Sequence, residues 1–367
     1  MADTRVYFAT NRRPNDPAHP TDFTEDFVGD LTGIRFGTAN VPGKDLVRIN
    51  DDEALTALGK KIRVAVEPED LDPGEGAAPL LGSTAVFQKI RADMQQGRDL
   101  LFLVHGYDYT FRQAVARAAQ ISQWYGKDRP LSVLLYTWPS LGAGVSPFSY
   151  KDERQRAKAS GPALGRILLK AADFIRNMRR EGPCLQRIHL MAHSMGNWVL
   201  RGGIEQARTF VGDNIPPLID EVFLMAADDD DDTLSSRNKM QPLLRGCRRV
   251  HVYYHGRDLA LKASDYAMGN PDRLGLSGPD DEDSLPKKVY IADVGPAIIW
   301  DAKGKNAWTE DKTGHQYYRN NDRVRDDVVE ILQGKADDEF SQREKGKRQW
   351  RFKRTAGRQA RKGRPRG

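Results

Sequence analysis

The chain has 367 residues, 39% hydrophobic and 29% charged, with 33 Gly and 20 Pro. That balance supplies a sizeable core and excludes a collagen-like, coiled-coil or wholly disordered protein. Of 57 basic and 51 acidic residues, 12 basic and one acidic fall in the last 25 positions, so the +6 total divides into a +11 tail and a −5 body. The longest apolar runs, such as Leu100 to Val104, have strand length, well short of the roughly 20 residues of a membrane helix. Met1 to Arg5 leads directly into Val6 to Ala9 without the apolar stretch and cleavage site of a secretory leader, so a soluble, cytoplasmic protein is expected. Cys184 and Cys247 offer neither a disulfide framework nor metal-ligand spacing, and no metal or organic cofactor is expected.

In chain order, Val6 to Thr10 reads as a strand, followed by a polar, turn-rich stretch from Arg12 to Asp22 with Pro14, Pro17 and Pro20. This opening is expected to be a partly exposed arm. Ile62 to Val66 alternates like a strand, and Ile90 and Met94 give Phe87 to Met94 a helical packing face. Four apolar strands then follow at Leu100 to Val104, Ser132 to Thr137, Arg187 to Met191 and Glu221 to Ala226. Helical patterns at Phe111 to Trp124, Gly161 to Met178 and Gly196 to Phe210 are interleaved with them. Arg249 to Tyr254 and Lys288 to Ile291 continue the strands, with Gly269 to Pro286 as a long surface loop between them, and Val324 to Leu332 closes the body as an amphipathic helix. Alternating strands and helices define an α/β fold, with a mostly parallel central sheet and helices on both faces. Its ligand crevice belongs outside the carboxyl ends of the strands, so reactive residues should follow apolar runs.

The sharpest motif obeys that rule. Arg187 to Ala192 is an apolar run that enters His193-Ser194-Met195-Gly196, and a helical pattern begins at once. A serine between small residues at a strand-to-helix turn is a nucleophile elbow, its hydroxyl exposed above the helix N-terminus. The plainer reading is a helix-capping serine, and Ala192 stands where a glycine is usual. His193 points elsewhere on such a turn. The oxyanion formed during acyl transfer needs two backbone donors, and Met195 N–H together with Tyr107 N–H, after Leu101 to Gly106, are the candidates. His105 is expected to fix that loop. Trp138 and Leu141, beyond the next strand end, are candidate pocket residues.

A serine nucleophile needs a base, and the base needs an acid to hold its tautomer. Of seven histidines, only His315 lies after the last strand, in Thr313-Gly314-His315-Gln316-Tyr317. Two strand ends compete for the acid: Asp258, in Tyr254-His255-Gly256-Arg257-Asp258, is favoured. Asp228, first of five aspartates after Ala227, is the alternative; most of that run must face solvent or pair with basic residues.

Together these segments resemble an alpha/beta-hydrolase family of unknown function among bacterial esterase- and lipase-like proteins. The resemblance rests on Val6 to Arg12, Val104-His105-Gly106-Tyr107, Tyr136 to Ser140, Ala192 to Asn197, Tyr254 to Leu261 and Gly314 to Tyr317. It implies the alpha/beta-hydrolase fold, Ser194 as nucleophile, His315 as base, Asp258 as acid and Tyr107 in the oxyanion loop. Ala227 departs from the family's Ala-Pro-Asp segment.

The expected organisation is therefore a single hydrolase domain over residues 1–334, with an N-terminal arm, and a basic, disordered tail over 335–367. The expected activity is cleavage of a small-molecule carboxylic ester or related acyl bond through an acyl-enzyme. The competing reading is a catalytically silent hydrolase fold acting as a binding protein. In either case residues 343–367 could contact nucleic acid or an anionic membrane weakly. The charged stretch Lys151 to Lys158 makes a poor lipase lid, which favours short or soluble acyl substrates. Nothing in the sequence sets an oligomeric state.

Overall fold

The computed structural model describes residues 3–354 apart from 30–32, 50, 71–73, 75–77, 142–146, 182–185, 269–271, 299–310, 312 and 347–348. Cys184 lies outside the described residues, as does residues 355–367 of the basic tail.

The first strands are β1 (Thr4–Thr10), β2 (Arg12–Pro14), β3 (Phe23–Phe27) and β4 (Arg35–Val41), followed by α1 (Asp52–Gly59), β5 (Arg63–Val66) and α2 (Gly82–Gln95). The alternating part contains β6 (Asp99–Val104), α3 (Phe111–Tyr125), β7 (Leu131–Thr137), α4 (Pro147–Glu181), β8 (Ile188–His193), α5 (Gly196–Val211), β9 (Ile219–Met225) and β10 (Cys247–Tyr254). The chain then forms α6 (Leu259–Met268), α7 (Leu274–Ser277), β11 (Val289–Asp293), α8 (Tyr317–Asn320), α9 (Asp322–Leu332), β12 (Arg343–Lys345) and β13 (Trp350–Phe352).

Among the described residues, eleven strands join in one sheet in the order β12-β13-β11-β10-β9-β8-β6-β7-β1-β4-β5. The run from β11 through β1 is parallel throughout. Burial on both faces follows from the strand alternation. In β6, Leu101 and Leu103 enter the core under α3 and α9, whereas Leu100, Phe102 and Val104 enter the core under α2, α4 and α5. Each such buried side chain stabilises the fold by roughly 1.5–3 kcal/mol.

The connection from β6 leads outward to β7, and the chain then crosses back to place β8 on the other side of β6. This reversal opens a crevice between the carboxyl ends of β6 and β8, where the loops at Tyr107 and Ser194 begin. Helix α4 crosses α5 at glycines: a Cβ on Gly161 would lie 2.6 Å from Gly202 Cα. That close approach carries the N-terminal half of α4 across the crevice. The helix is longer than the Gly161 to Met178 pattern predicts and includes Lys151 to Lys158.

Two expectations are corrected. The opening arm is sheet: β1 lies between β4 and β7, with Val6 to Ala9 fully buried and Arg12 buried beyond them. The stretch beyond it is partly exposed as expected, at Arg13, Asn15 to His19 and Thr21. The basic tail is also ordered at its start, where β13 pairs in parallel with β11 and β12 pairs with β13. The count of charges conceals a period-two alternation: Trp350 and Phe352 turn inward while Arg351 turns out. The buried charge of Arg343 is met by Asp327 at 2.7 Å. No described helix is long and apolar enough to cross a membrane.

Candidate active site

The strand-to-helix turn holds Ser194 at φ +52°, a region that non-glycine residues rarely occupy. Three long-range and local bonds over-determine it. Ser194 N–H donates to Met225 O at 3.0 Å, Asp228 N–H donates to Ser194 O at 3.2 Å, and Asn197 Nδ2 donates to the same carbonyl at 2.9 Å. Gly196 lets α5 start against β6, since a Cβ there would lie 2.5 Å from His105 O. Gly106 does the same on the facing loop, where a Cβ would lie 3.0 Å from Ser194 Cβ. Asp108 and Ala226, at the ends of β6 and β9, share the left-handed conformation, so the backbone strain is gathered around one crevice.

The loop from His105 to Thr110 is braced from several directions. Trp138 N–H donates to His105 Nε2 at 3.3 Å, which makes that nitrogen the acceptor and leaves Nδ1–H to donate to Gly106 O at 2.7 Å. Burial and the nearby Arg12 guanidinium lower the His105 pKa to about 3, so the ring is a neutral strut. Arg12 itself is fully buried and donates to Tyr109 O, Thr137 Oγ1 and Ser140 O at 2.7, 3.1 and 3.2 Å. A capping box between Thr110 and Gln113 ends the loop and starts α3. Tyr107 faces the crevice, and Met195 is the capping residue at the N-terminus of α5.

His315 Nδ1 donates to Asp258 Oδ2 at 2.7 Å. Asp258 is fully buried, and its other oxygen accepts from Ala260 N–H and Leu261 N–H, each at 3.0 Å, so the first turn of α6 fixes the carboxylate. Burial disfavours the imidazolium, but the Asp258 carboxylate, with Asp311 and Asp228 farther off, outweighs it and raises the His315 pKa. The following residues lock the histidine loop: Tyr317 Oη accepts from Ala226 N–H and donates to Tyr253 O, both at 2.8 Å. His193 is separate from this relay. Its Nε2 donates to His315 O at 3.3 Å, its ring stacks on Tyr318 at 4.0 Å, and burial holds it well below the ordinary histidine pKa.

Asp228 reaches the same crevice but a different set of partners. Tyr150 Oη and Ser264 Oγ donate to its two oxygens, the latter at 3.0 Å, and Arg273 Nε lies 3.4 Å away. It is therefore not at His315 Nδ1, and its candidacy as the acid is corrected. Asp229 and Asp230, also buried, pair with Arg201 at 3.0 Å, and Asp230 with Lys239 at 2.8 Å. Trp138 is corrected too: it is fully buried, stacked on His105 with 8° between planes, and donates Nε1–H to His105 O at 3.0 Å. Leu141 sits outside the crevice wall, its N–H donating to Glu153 Oε1 at 2.5 Å.

Ser194, His315, Tyr107, Asp228 and Tyr150 line one cleft of ≈ 620 Å³. The residues that sequence reasoning missed are Arg12, Tyr150, Glu153, Tyr317 and Arg319; the partners of Arg12, Tyr150 and Tyr317 lie far away along the chain. Among the described residues, no group of three or more His, Cys, Asp or Glu side chains is arranged to hold a metal ion.

A parallel sheet with a strained serine elbow, and a histidine–aspartate pair delivered to the same crevice, defines an alpha/beta hydrolase. Residues 83–333 match the model of the family described as alpha/beta hydrolase of unknown function (DUF900), and the chain belongs to that family. No curated protein matches the chain.

Proposed function

We propose that this hydrolase cleaves a carboxylic ester or related acyl bond through a covalent intermediate on Ser194. The observation that carries the reading is the 2.7 Å bond from His315 Nδ1–H to Asp258 in the cleft lined by Ser194. That bond fixes the tautomer in which Nε2 is unprotonated and able to accept the serine proton.

In this reading Ser194 Oγ attacks the acyl carbon while His315 Nε2 takes its proton. The oxyanion draws on Met195 N–H and Tyr107 N–H, held by the α5 terminus and the braced β6 loop. His315 returns its proton to the leaving alkoxide, the alcohol departs, and water activated by the same imidazole releases the acid. The Asp258 carboxylate stabilises the imidazolium through its bond to Nδ1–H.

A series of p-nitrophenyl esters from short to long acyl chains tests the proposal. Wild type is expected to hydrolyse short members with a burst, and Ser194→Ala and His315→Ala to lose turnover while folding normally. Turnover that persists undiminished in Ser194→Ala would assign the chemistry to another group.

A further inference from the structure

Beside the serine, the cleft wall contains an unusual concentration of buried positive charge. Arg319, on α8, is 6% exposed and lines the cleft, and Arg117, on α3, is 1% exposed behind it. Three other buried arginines meet carboxylates: Arg249 meets Glu221, Arg273 meets Asp230 and Arg343 meets Asp327, while buried Arg12 is held by carbonyl and hydroxyl oxygens. Among the described residues, Arg117 and Arg319 have no such ion pair. Arg319 Nε donates to Gln316 Oε1 at 2.9 Å, but its buried Nη1 has no partner. Arg117 Nη1 donates to Ile49 O at 3.2 Å and to Gln120, while its Nε and Nη2 also lack partners. Between them stands Tyr109, with Arg117 5.9 Å from its ring centre. Although burial opposes the phenolate, Arg117 and Arg319 outweigh it and lower the Tyr109 pKa.

Buried charges without partners are costly, and each unsatisfied donor adds to the cost. Acidic groups near this end do not remove it. Asp311 accepts from the N–H groups of Thr313, Gly314 and Gln316, and Asp51 caps α1 by accepting Ala54 N–H at 2.6 Å. Asp51 and Asp52 are exposed on the rim, where water screens them.

We propose that the Arg319 end of the cleft is a subsite for a carboxylate on the substrate, so that the preferred substrates are half-esters of dicarboxylic acids. The guanidinium of Arg319, which lines the cleft, supplies a charge-assisted donor, and Arg117 adds positive charge nearby. The acidic rim penalises a dianionic phosphate more than a monoanionic carboxylate. This assignment rests on the hydrolase reading for turnover, but the anion subsite can be measured without it.

Release of acid from monomethyl succinate, glutarate and adipate is followed by pH-stat titration against methyl butanoate, pentanoate and hexanoate. At one chain length, wild type is expected to give a kcat/KM at least tenfold higher for the half-ester than for its neutral counterpart. Arg319→Gln is expected to reduce that ratio at least tenfold, mainly through KM. A ratio at or below one for every length overturns the subsite. So does an equal loss on both ester types in Arg319→Gln, which would assign Arg319 to bracing Gln316 and the His315 loop.

Calorimetric titration of the wild-type chain with the same half-esters requires neither turnover nor a folded variant. Binding of a half-ester but not of its neutral partner supports the subsite even if no ester is hydrolysed and the hydrolase reading fails. Absence of binding by all three half-esters overturns the subsite even if neutral esters are hydrolysed.

Discussion

Asp258 and Asp228 occupy comparable places. Each lies a few residues beyond a parallel strand, each is buried, and each is bonded to a group on or near α6. Yet Asp258 directs an oxygen to His315, whereas Asp228 is enclosed by Tyr150, Ser264 and Arg273. The first arrangement leaves a carboxylate whose principal ionic partner is an imidazole that can gain and lose a proton. The second ties a carboxylate to a permanent cation and two hydroxyls, which fasten α4 and α6 to the end of β9. A strand-end aspartate therefore faces a histidine or clamps neighbouring helices according to what the rest of the fold brings to it.

The largest difference between the two regions should come from removing each charge. Asp258→Asn replaces the acceptor for Nδ1–H with an amide that can favour the wrong tautomer, and kcat on a short p-nitrophenyl ester should fall about 10⁴-fold. Asp228→Asn should reduce kcat tenfold or less, and cost about 1–3 kcal/mol of stability in denaturant titration, because Tyr150 and Ser264 lose their charged acceptor. Equal activity losses would erase the distinction between relay and clamp.

The pH profile sharpens it. The base must be neutral to accept a proton, so activity should rise with pH through a midpoint above the ordinary histidine value, given the raised pKa of His315. Residual activity in Asp258→Asn should show that acidic limb moved to lower pH, since the carboxylate that favours the imidazolium is gone. Movement in the opposite direction would contradict the assigned pair.

A smaller effect belongs to the clamp side of the cleft. Burial pushes the Glu153 carboxyl up to about 7, although Leu141 N–H and Ser140 Oγ–H favour its charged form. Between the ordinary glutamate range and pH 7 the folded state therefore holds a proton that the unfolded chain releases. Its contribution to stability is present at low pH and lost as pH rises through that window, by on the order of 2–3 kcal/mol. Melting curves of Glu153→Gln and wild type from pH 5 to 8 should diverge in favour of the variant as pH rises.

What the sequence made legible was local or periodic. Ser194 stood out because strand, small flanking residues and helix are contiguous, and the strands β6 to β11 showed as apolar runs. The position of His315 after the last of those strands and of Asp258 at a strand end followed from fold topology. The partners that brace the site were hidden by distance: Tyr150 meets Asp228 across 78 positions, Tyr317 meets Ala226 across 91, and Arg12 meets Tyr109 across 97. Trp138 misled because an aromatic residue at a strand end suits a pocket wall as well as a face stacked on His105. Likewise β4 mixes polar and apolar residues and β13 is only three residues long, and only pairing with β1 and β11 shows which of their side chains turn inward.

The central claim is that Ser194 is made nucleophilic by His315 and Asp258. Intact-protein and peptide mass spectrometry after treatment with a fluorophosphonate tests it most directly. The predicted result is one adduct per chain, located on Ser194, absent in Ser194→Ala, and formed far more slowly in His315→Ala and Asp258→Asn than in Asp228→Asn. A folded wild-type protein that takes no adduct, or takes it on another residue, would contradict the account.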